Sequence, residues 1–344
     1  MPTETVYGLA ALATVGAGLD RLRAARSALA GAEITGPSAW HAPSAAAVLD
    51  ALKPPSASVR RIIHRLTPGP VTLALELEPP HLGQVRLTLG VSSGVIDDGV
   101  AIIVRVPDHP IARALAERVA PAPLVAEGIP GRSGLAADGA EAARALAAAG
   151  VEAAGVISSS SPSQGRPSAL VRVTADGTFT VVREGVYDRA FIQRRVDRSV
   201  LFVCTGNTCR SPMAQGIALG LLGRQREGMV RTAVRSAGLG AMGGEPITPA
   251  AAAALRELGY DPAPGGARGL SRESVEQADA VYVMTRSHLR GVLDLVPEAR
   301  DRVFLLDPRG EDIADPIGQP AAQYSSVAAR MKAMIERRLK ELDA

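Results

Sequence analysis

Cysteine is nearly missing from this chain: 344 residues contain two, Cys204 and Cys209. Two thiols build neither a disulfide scaffold nor a four-thiolate metal site, and their scarcity points to an intracellular, reducing compartment. Aromatic residues make up 3% of the chain, and lysine occurs only as Lys53, Lys332 and Lys340. The formal net charge is +3 with no dense basic block, so composition gives no electrostatic footprint for nucleic acid. No apolar run approaches the roughly 20 residues of a membrane-spanning helix. VYGLAALATVGAGL (6–19) has the length of a signal-peptide core, but Glu4 precedes it and no Lys or Arg does. The expectation is a cytoplasmic protein with no membrane partner.

What is present is a core. Hydrophobic content of 47% against 21% charged is that of a globular chain. The length exceeds the roughly 250–300 residues at which single cores stop growing, which implies two domains. SSSSPSQGRPS (158–168) reads as a polar loop, and ALVRV and TFTVV around Ala175-Asp176-Gly177 read as a hairpin. The charged segment YDRAFIQRRVDR (187–198) precedes a fresh apolar strand, so the domains are set at 1–195 and 196–344.

From there strands and helices alternate. SVLFVC, MVRTAVRSAG, DAVYVM and RVFLLD read as strands, and SPMAQGIALGLLGRQ as a helix. In TPAAAAALRELG, Thr248 is an N-cap and Pro249 the first helical residue. A C-terminal helix carries Val327, Met331, Met334, Ile335 and Leu342 as a stripe for core packing. The fold class is α/β throughout. The first domain is a twisted sheet with helices, and the second is a doubly wound parallel sheet of about four strands. Ligands of such sheets sit at the carboxyl ends of strands, and Cys204 ends one.

CTGNTCR places a cysteine, five intervening residues and an arginine between that strand and a helix. A loop this short at a helix N-terminus turns its amides inward around a phosphate-sized anion. Gly206 and Asn207 are expected to take the left-handed angles of the curl. Arg210 is able to grip two phosphate oxygens, and a positive environment favours the nucleophilic thiolate form of a cysteine.

VCTGNTCRSPMA, with VRSAG (234–238), LRELG (255–259) and DIADPIG (312–318) following in order, resembles the low-molecular-weight protein tyrosine phosphatases over nearly all of 199–344. The resemblance implies that Cys204 attacks phosphorus, Arg210 holds the equatorial oxygens, and Asp315 protonates the leaving group and then activates water. It implies that Thr205, Gly206, Asn207, Thr208, Cys209 and Ser211 surround the substrate, with Ser211 steadying the thiolate and Asn207 the loop. It requires no metal or cofactor and takes a phosphorylated protein as partner. Asp307-Pro308 is read as a turn. Ile317-Gly318 follow Asp315-Pro316 where tyrosine-specific members carry aromatics, and Thr208 replaces a bulkier aliphatic residue. CTGNTCRSP therefore looks like the protein arginine phosphatase branch, with phosphotyrosine as the other substrate. The arsenate-reducing branch uses three thiols, which this chain lacks. Cys209 is either a reversible disulfide partner for Cys204 or a small loop filler.

PTETVYGL (2–9) reads from composition as a turn and a helix start. With LTPGPVTLAL (66–75), IIVRVPDHP (102–110), GRPSALVRV and VVREG, it resembles the threonylcarbamoyl-AMP synthases, which use ATP and L-threonine in tRNA modification. The resemblance implies a ligand groove with Thr3, Thr5, Tyr7, Ser168 and Arg183. The family's Lys-x-Arg pair reads Arg26-Ser27-Ala28 here, and its Ser-Ala-Asn segment is replaced within AEGIPGRSG (126–134), with Gly128 and Pro130 at the polar positions. The expectation is a degenerate synthase that keeps at most a small-molecule or RNA groove. The alternative is a bifunctional enzyme that still makes threonylcarbamoyladenylate.

Overall fold

The computed structural model describes residues 1–31, 36–131, 134–160 and 163–342. Residues 132–133 of AEGIPGRSG and 161–162 of the polar loop lie outside the described residues. Two compact units divide the chain: Met1–Val196 with Gly228–Val230, and Asp197–Glu227 with Arg231–Ala344.

The first unit contains strands β1 (Gly8–Leu12), β2 (Ala39–His41), β3 (Val71–Glu76), β4 (Ala101–Arg105), β5 (Leu124–Gly128), β6 (Pro130–Gly131), β7 (Gly134–Leu135), β8 (Ala169–Val173) and β9 (Phe179–Arg183). Its helices are α1 (Gly16–Ala30), α2 (Ala45–Leu52), α3 (Ala57–Leu66), α4 (Pro79–Leu89), α5 (Pro110–Val119), α6 (Gly139–Ala148) and α7 (Arg189–Val196). Seven strands form one mixed sheet in the order β1-β5-β2-β4-β3-β8-β9. The apolar run of β3 is buried on both faces, as a central strand requires. β8 and β9 form the expected hairpin. Asp176 closes its turn by accepting the Thr178 amide at 2.9 Å, and Gly177 supplies φ 91°.

Composition misreads the start of the chain. After the turn at Thr3–Val6, Gly8–Leu12 is a strand, and no helix begins before Gly16. Long-range pairing overrides local propensity there: Gly8 to Leu12 run antiparallel to Gly128 to Leu124, and Tyr7 exchanges backbone bonds with Ala136 and Ile129.

The second unit contains β10 (Arg198–Cys204), β11 (Thr232–Gly238), β12 (Ala280–Val283) and β13 (Val303–Leu305) with helices α8 (Arg210–Leu222), α9 (Pro249–Glu257), α10 (Arg272–Glu276), α11 (Arg286–Leu295) and α12 (Ala321–Leu342). The strands are all parallel in the order β11-β10-β12-β13. Alternate residues of β10 enter opposite cores. Val200, Phe202 and Cys204 meet α8, α9 and α12, whereas Leu201 and Val203 meet α10 and α11. Thr248 caps α9 by accepting the Ala251 amide, and Pro249 is at its start. The stripe on α12 is buried at Val327, Met331, Met334 and Ile335, with Leu342 partly covered. The chain leaves β10 for β11 on one side and later returns to β12 on the other. A crevice therefore opens at the carboxyl end of β10, where Cys204 lies.

Candidate active site

Cys204 is buried, and its thiol touches one group of the loop and one of the helix that follows it. Sγ lies 3.0 Å from Ser211 Oγ and accepts the Asn207 amide at 3.3 Å. Asn207 is the left-handed residue of the curl, with φ 53°. Its side-chain amide donates to Ser211 Oγ at 2.8 Å, and its Oδ1 accepts the Arg268 amide at 2.8 Å. One buried asparagine thus ties the loop to the helix start below it and to the segment after α9.

Gly206 does not share the positive φ expected of it. The reversal is completed at Asn207, whose side chain makes the local bonds that offset the left-handed cost. The glycine that the loop does need is Gly238, at the end of β11. A Cβ there would lie 2.5 Å from the Thr205 carbonyl and 2.8 Å from the Asn207 nitrogen. With only hydrogen at this point, β11 lies directly behind the loop. Leu239 and Gly240 then donate to the carbonyls of Cys204 and Thr205 at 3.0 and 2.9 Å.

Helix α8 begins at Arg210, so the loop ends on unpaired helical amides. Among the described residues, the amides of Thr205, Gly206, Thr208, Cys209 and Arg210 have no acceptor within the chain. Unpaired amides at a helix N-terminus, with the helix dipole behind them, are the groups that suit an anion. Arg210 is buried, donates to the Ile313 carbonyl at 3.0 Å, and pairs with the Asp315 carboxylate. Asp315 is 40% exposed and accepts the Ile317 amide at 3.2 Å through its other oxygen. Thr208 is half-buried and gives its carbonyl to the Thr248 amide at 2.9 Å, which joins the loop to the cap of α9. Cys209 points away into the core, 3.4 Å from Thr248 Oγ1 and 4.0 Å from the Tyr324 hydroxyl. Asp307 forms a turn and caps the Arg309 amide at 2.9 Å.

A family model for the low molecular weight phosphotyrosine protein phosphatases matches residues 199–344. A second, for the Sua5–YciO–YrdC family and described as telomere recombination, matches residues 1–185. The chain belongs to both families, as a fusion of the two.

Among its relatives, the protein-arginine-phosphatase of Geobacillus stearothermophilus is 35% identical over 147 residues, 42% of this chain and 95% of the relative. That of Bacillus subtilis is 34% identical over 151 residues, again 42% and 95%. A solved structure, the YwlE arginine phosphatase from G. stearothermophilus, is 33% identical and covers 42% of this chain and 92% of its own, with a TM-score of 0.38. The C-terminal unit is a low molecular weight protein phosphatase.

The Sua5–YciO–YrdC unit gathers a second polar group. Arg105 is buried and donates to Glu4 and to Thr5 Oγ1, both at 2.7 Å, while Thr3 and Thr5 share a hydroxyl contact of 3.0 Å. Across the sheet Arg105 is level with His41 and Thr72, and Thr72 meets Ser168 Oγ at 2.8 Å. Arg183 donates to the Ser168 carbonyl at 3.2 Å. Burial and the nearby Arg105 guanidinium push His41 down to about 3. Tyr7 lies apart from this group. Its hydroxyl accepts the Ser159 amide at 2.9 Å, and its ring lines an apolar cavity of about 400 Å³ bordered by β1, α1 and α6. Arg26 donates to the Gly36 carbonyl at 3.0 Å and pairs with Glu127 at 3.3 Å. Pro130 is spent on the short ladder opposite Leu135.

Sequence reasoning missed Gly238, Arg268, the Ile313 carbonyl and His288. His288 is buried and joins the loop through Thr205 Oγ1 at 2.9 Å. Burial and the Arg210 charge hold it below the usual histidine range, against the opposite pull of Asp315 and Asp312. The rule that ligands gather at the carboxyl ends of strands, applied to DAVYVM as it was to SVLFVC, would have pointed to Thr285 and His288.

Proposed function

We propose that this phosphatase removes phosphate from phosphoarginine in protein substrates through a cysteinyl-phosphate intermediate. The loop amides and Arg210 hold the phosphoryl oxygens. The Cys204 thiolate attacks phosphorus, and as the S–P bond forms the P–N bond breaks. The departing guanidino nitrogen takes its proton from Asp315. Water then attacks the cysteinyl-phosphate and gives a proton to Asp315, and inorganic phosphate and the thiolate are released. Ser211 and the Asn207 amide stabilise the sulfur charge in both steps.

The choice of substrate rests on the residue beyond the acid. Ile317 is 60% exposed after Asp315-Pro316, and no aromatic side chain occupies that position to stack on a phosphotyrosine ring. The names of the two Geobacillus and Bacillus relatives point the same way. The test is turnover of a phosphoarginine protein against a phosphotyrosine peptide by the full chain; clear preference for the peptide overturns the arginine assignment. Cys204→Ser is expected to abolish turnover of either while retaining phosphate binding.

The Sua5–YciO–YrdC unit, on the same reading, no longer makes threonylcarbamoyladenylate. Arg26 is engaged by Glu127, Arg105 by Glu4, and Pro130 offers no polar side chain, so the residues present do not fit a nucleotide triphosphate well. Each charged contact missing from such a site costs about 1.5–3 kcal/mol of binding. Pyrophosphate release from ATP with threonine and bicarbonate is expected to stay at background; robust release restores the bifunctional enzyme.

A further inference from the structure

His288 lies 84 residues beyond the nucleophile in sequence, yet contacts the loop residue next to it. The fold accounts for the approach. β12 runs parallel beside β10 with Val203 level with Val283, and the Met284 amide donates to the Val203 carbonyl at 3.1 Å. Thr285 follows and caps α11 by accepting the His288 amide at 3.3 Å. The first turn of α11 is therefore anchored to the strand beside the nucleophile's own. From that turn the imidazole spans two hydroxyls, Nδ1 at 2.8 Å from Thr285 Oγ1 and Nε2 at 2.9 Å from Thr205 Oγ1.

Thr205 is held from two sides. Its carbonyl accepts the Gly240 amide from the segment after β11, and its hydroxyl meets His288 from the segment after β12. Its own amide is one of the loop's unpaired donors, and its peptide bond to Cys204 sets the direction of the thiol. The hydroxyl is otherwise exposed, so a buried ring is a stiffer partner for it than water. Arg210, Asp315 and Asp312 are the charged groups that act on the ring. With the imidazole neutral, one nitrogen donates and the other accepts, and hydroxyls satisfy both.

We propose that His288 is a positioning residue of the phosphatase: by bridging Thr285 to Thr205 it fixes the first peptide of the phosphate loop and the aim of Cys204. The inference rests on the phosphatase reaction and not on the choice of phosphoarginine, so an aryl phosphate serves as substrate. Thr205→Val, His288→Ala and the double variant of the full chain form a cycle, with thermal stability measured on each. Loss of one hydrogen bond of ordinary strength corresponds to a fall in kcat of about three- to tenfold. Each single variant is expected to show such a fall with KM within about twofold, and the double variant to fall no further than either. His288→Gln, whose amide reaches toward Thr205, is expected to recover most of the loss. Should His288→Ala fail to fold, His288→Leu, closer in volume, replaces it. Multiplicative losses, or a failure of His288→Gln to recover kcat while its stability returns, would overturn the proposal. An arginine-specific assay that fails while the aryl phosphate cycle couples would count against the substrate assignment alone.

Discussion

Asn207 holds the loop by geometry as much as by hydrogen bonds. Replacing it by alanine removes the bonds to Ser211 and Arg268 and leaves a β-carbon at φ 53°. The expected cost is about 2–3 kcal/mol of loop stability, from the lost bonds together with the left-handed strain, and a fall in kcat/KM of at least tenfold. Asn207→Gly relieves the backbone without restoring the bonds and should recover only part. Gly238→Ala places its methyl carbon 2.5 Å from the Thr205 carbonyl, so the loop must move. A fall in turnover much larger than the fall in melting temperature is expected, and an active Gly238→Ala enzyme would contradict the close approach. Cys204, Arg210 and Ser211 are legible in the sequence because the loop is contiguous. Gly238, Arg268 and His288 are not, because their partners lie tens of residues away and only the parallel strand order brings them together.

Elements behave as their local signals say, except where a distant strand decides. Thr248 and Pro249 announce α9, and Thr248→Ala is expected to cost about 1 kcal/mol. KM is expected to change by no more than about twofold, because the Thr248 amide that holds the Thr208 carbonyl is backbone and survives the substitution. The α12 stripe is a core feature. Ile335→Ala, at a fully buried position, is expected to destabilise the second unit by about 2–5 kcal/mol in urea unfolding, with kcat of the folded fraction unchanged. β1 is the failure. GLAAL carries no alternation and no β-branched residue, so nothing local distinguishes a strand from a helix, and only pairing with β5 does.

At the scale of the whole molecule, each unit has its own core and buries histidine, His41 and His109 in the first and His288 in the second. Trp40, the single tryptophan, is buried in the first unit beside His41. Its emission therefore reports on that unit, whereas phosphate release reports on the other. His41 binds a proton at about 6.5 when unfolded and at about 3 when folded. Between those values the unfolded state holds a proton that the folded state does not, so stability of the first unit falls as pH drops through that window. The loss approaches 1.4 kcal/mol per pH unit. Urea midpoints by Trp40 emission at pH 7 and 4.5 should show it, and His41→Gln should reduce the dependence, leaving the part due to His109, which burial also holds below the usual histidine range. An equal slope in the variant would assign the effect to other groups. The two-family organisation is legible from ordered motifs. The separation of Tyr7 from Thr3 and Thr5 is not, because it depends on which side of the strand turn each residue faces.

Both sulfhydryl groups of this polypeptide lie within one seven-residue curl, one beside Ser211 and the Asn207 amide and the other in the core. Any thiol reagent that adds mass to the chain has therefore reached that curl and nowhere else. A single intact-mass spectrum recorded with and without inorganic phosphate counts occupied sites directly, with no background from the rest of the protein.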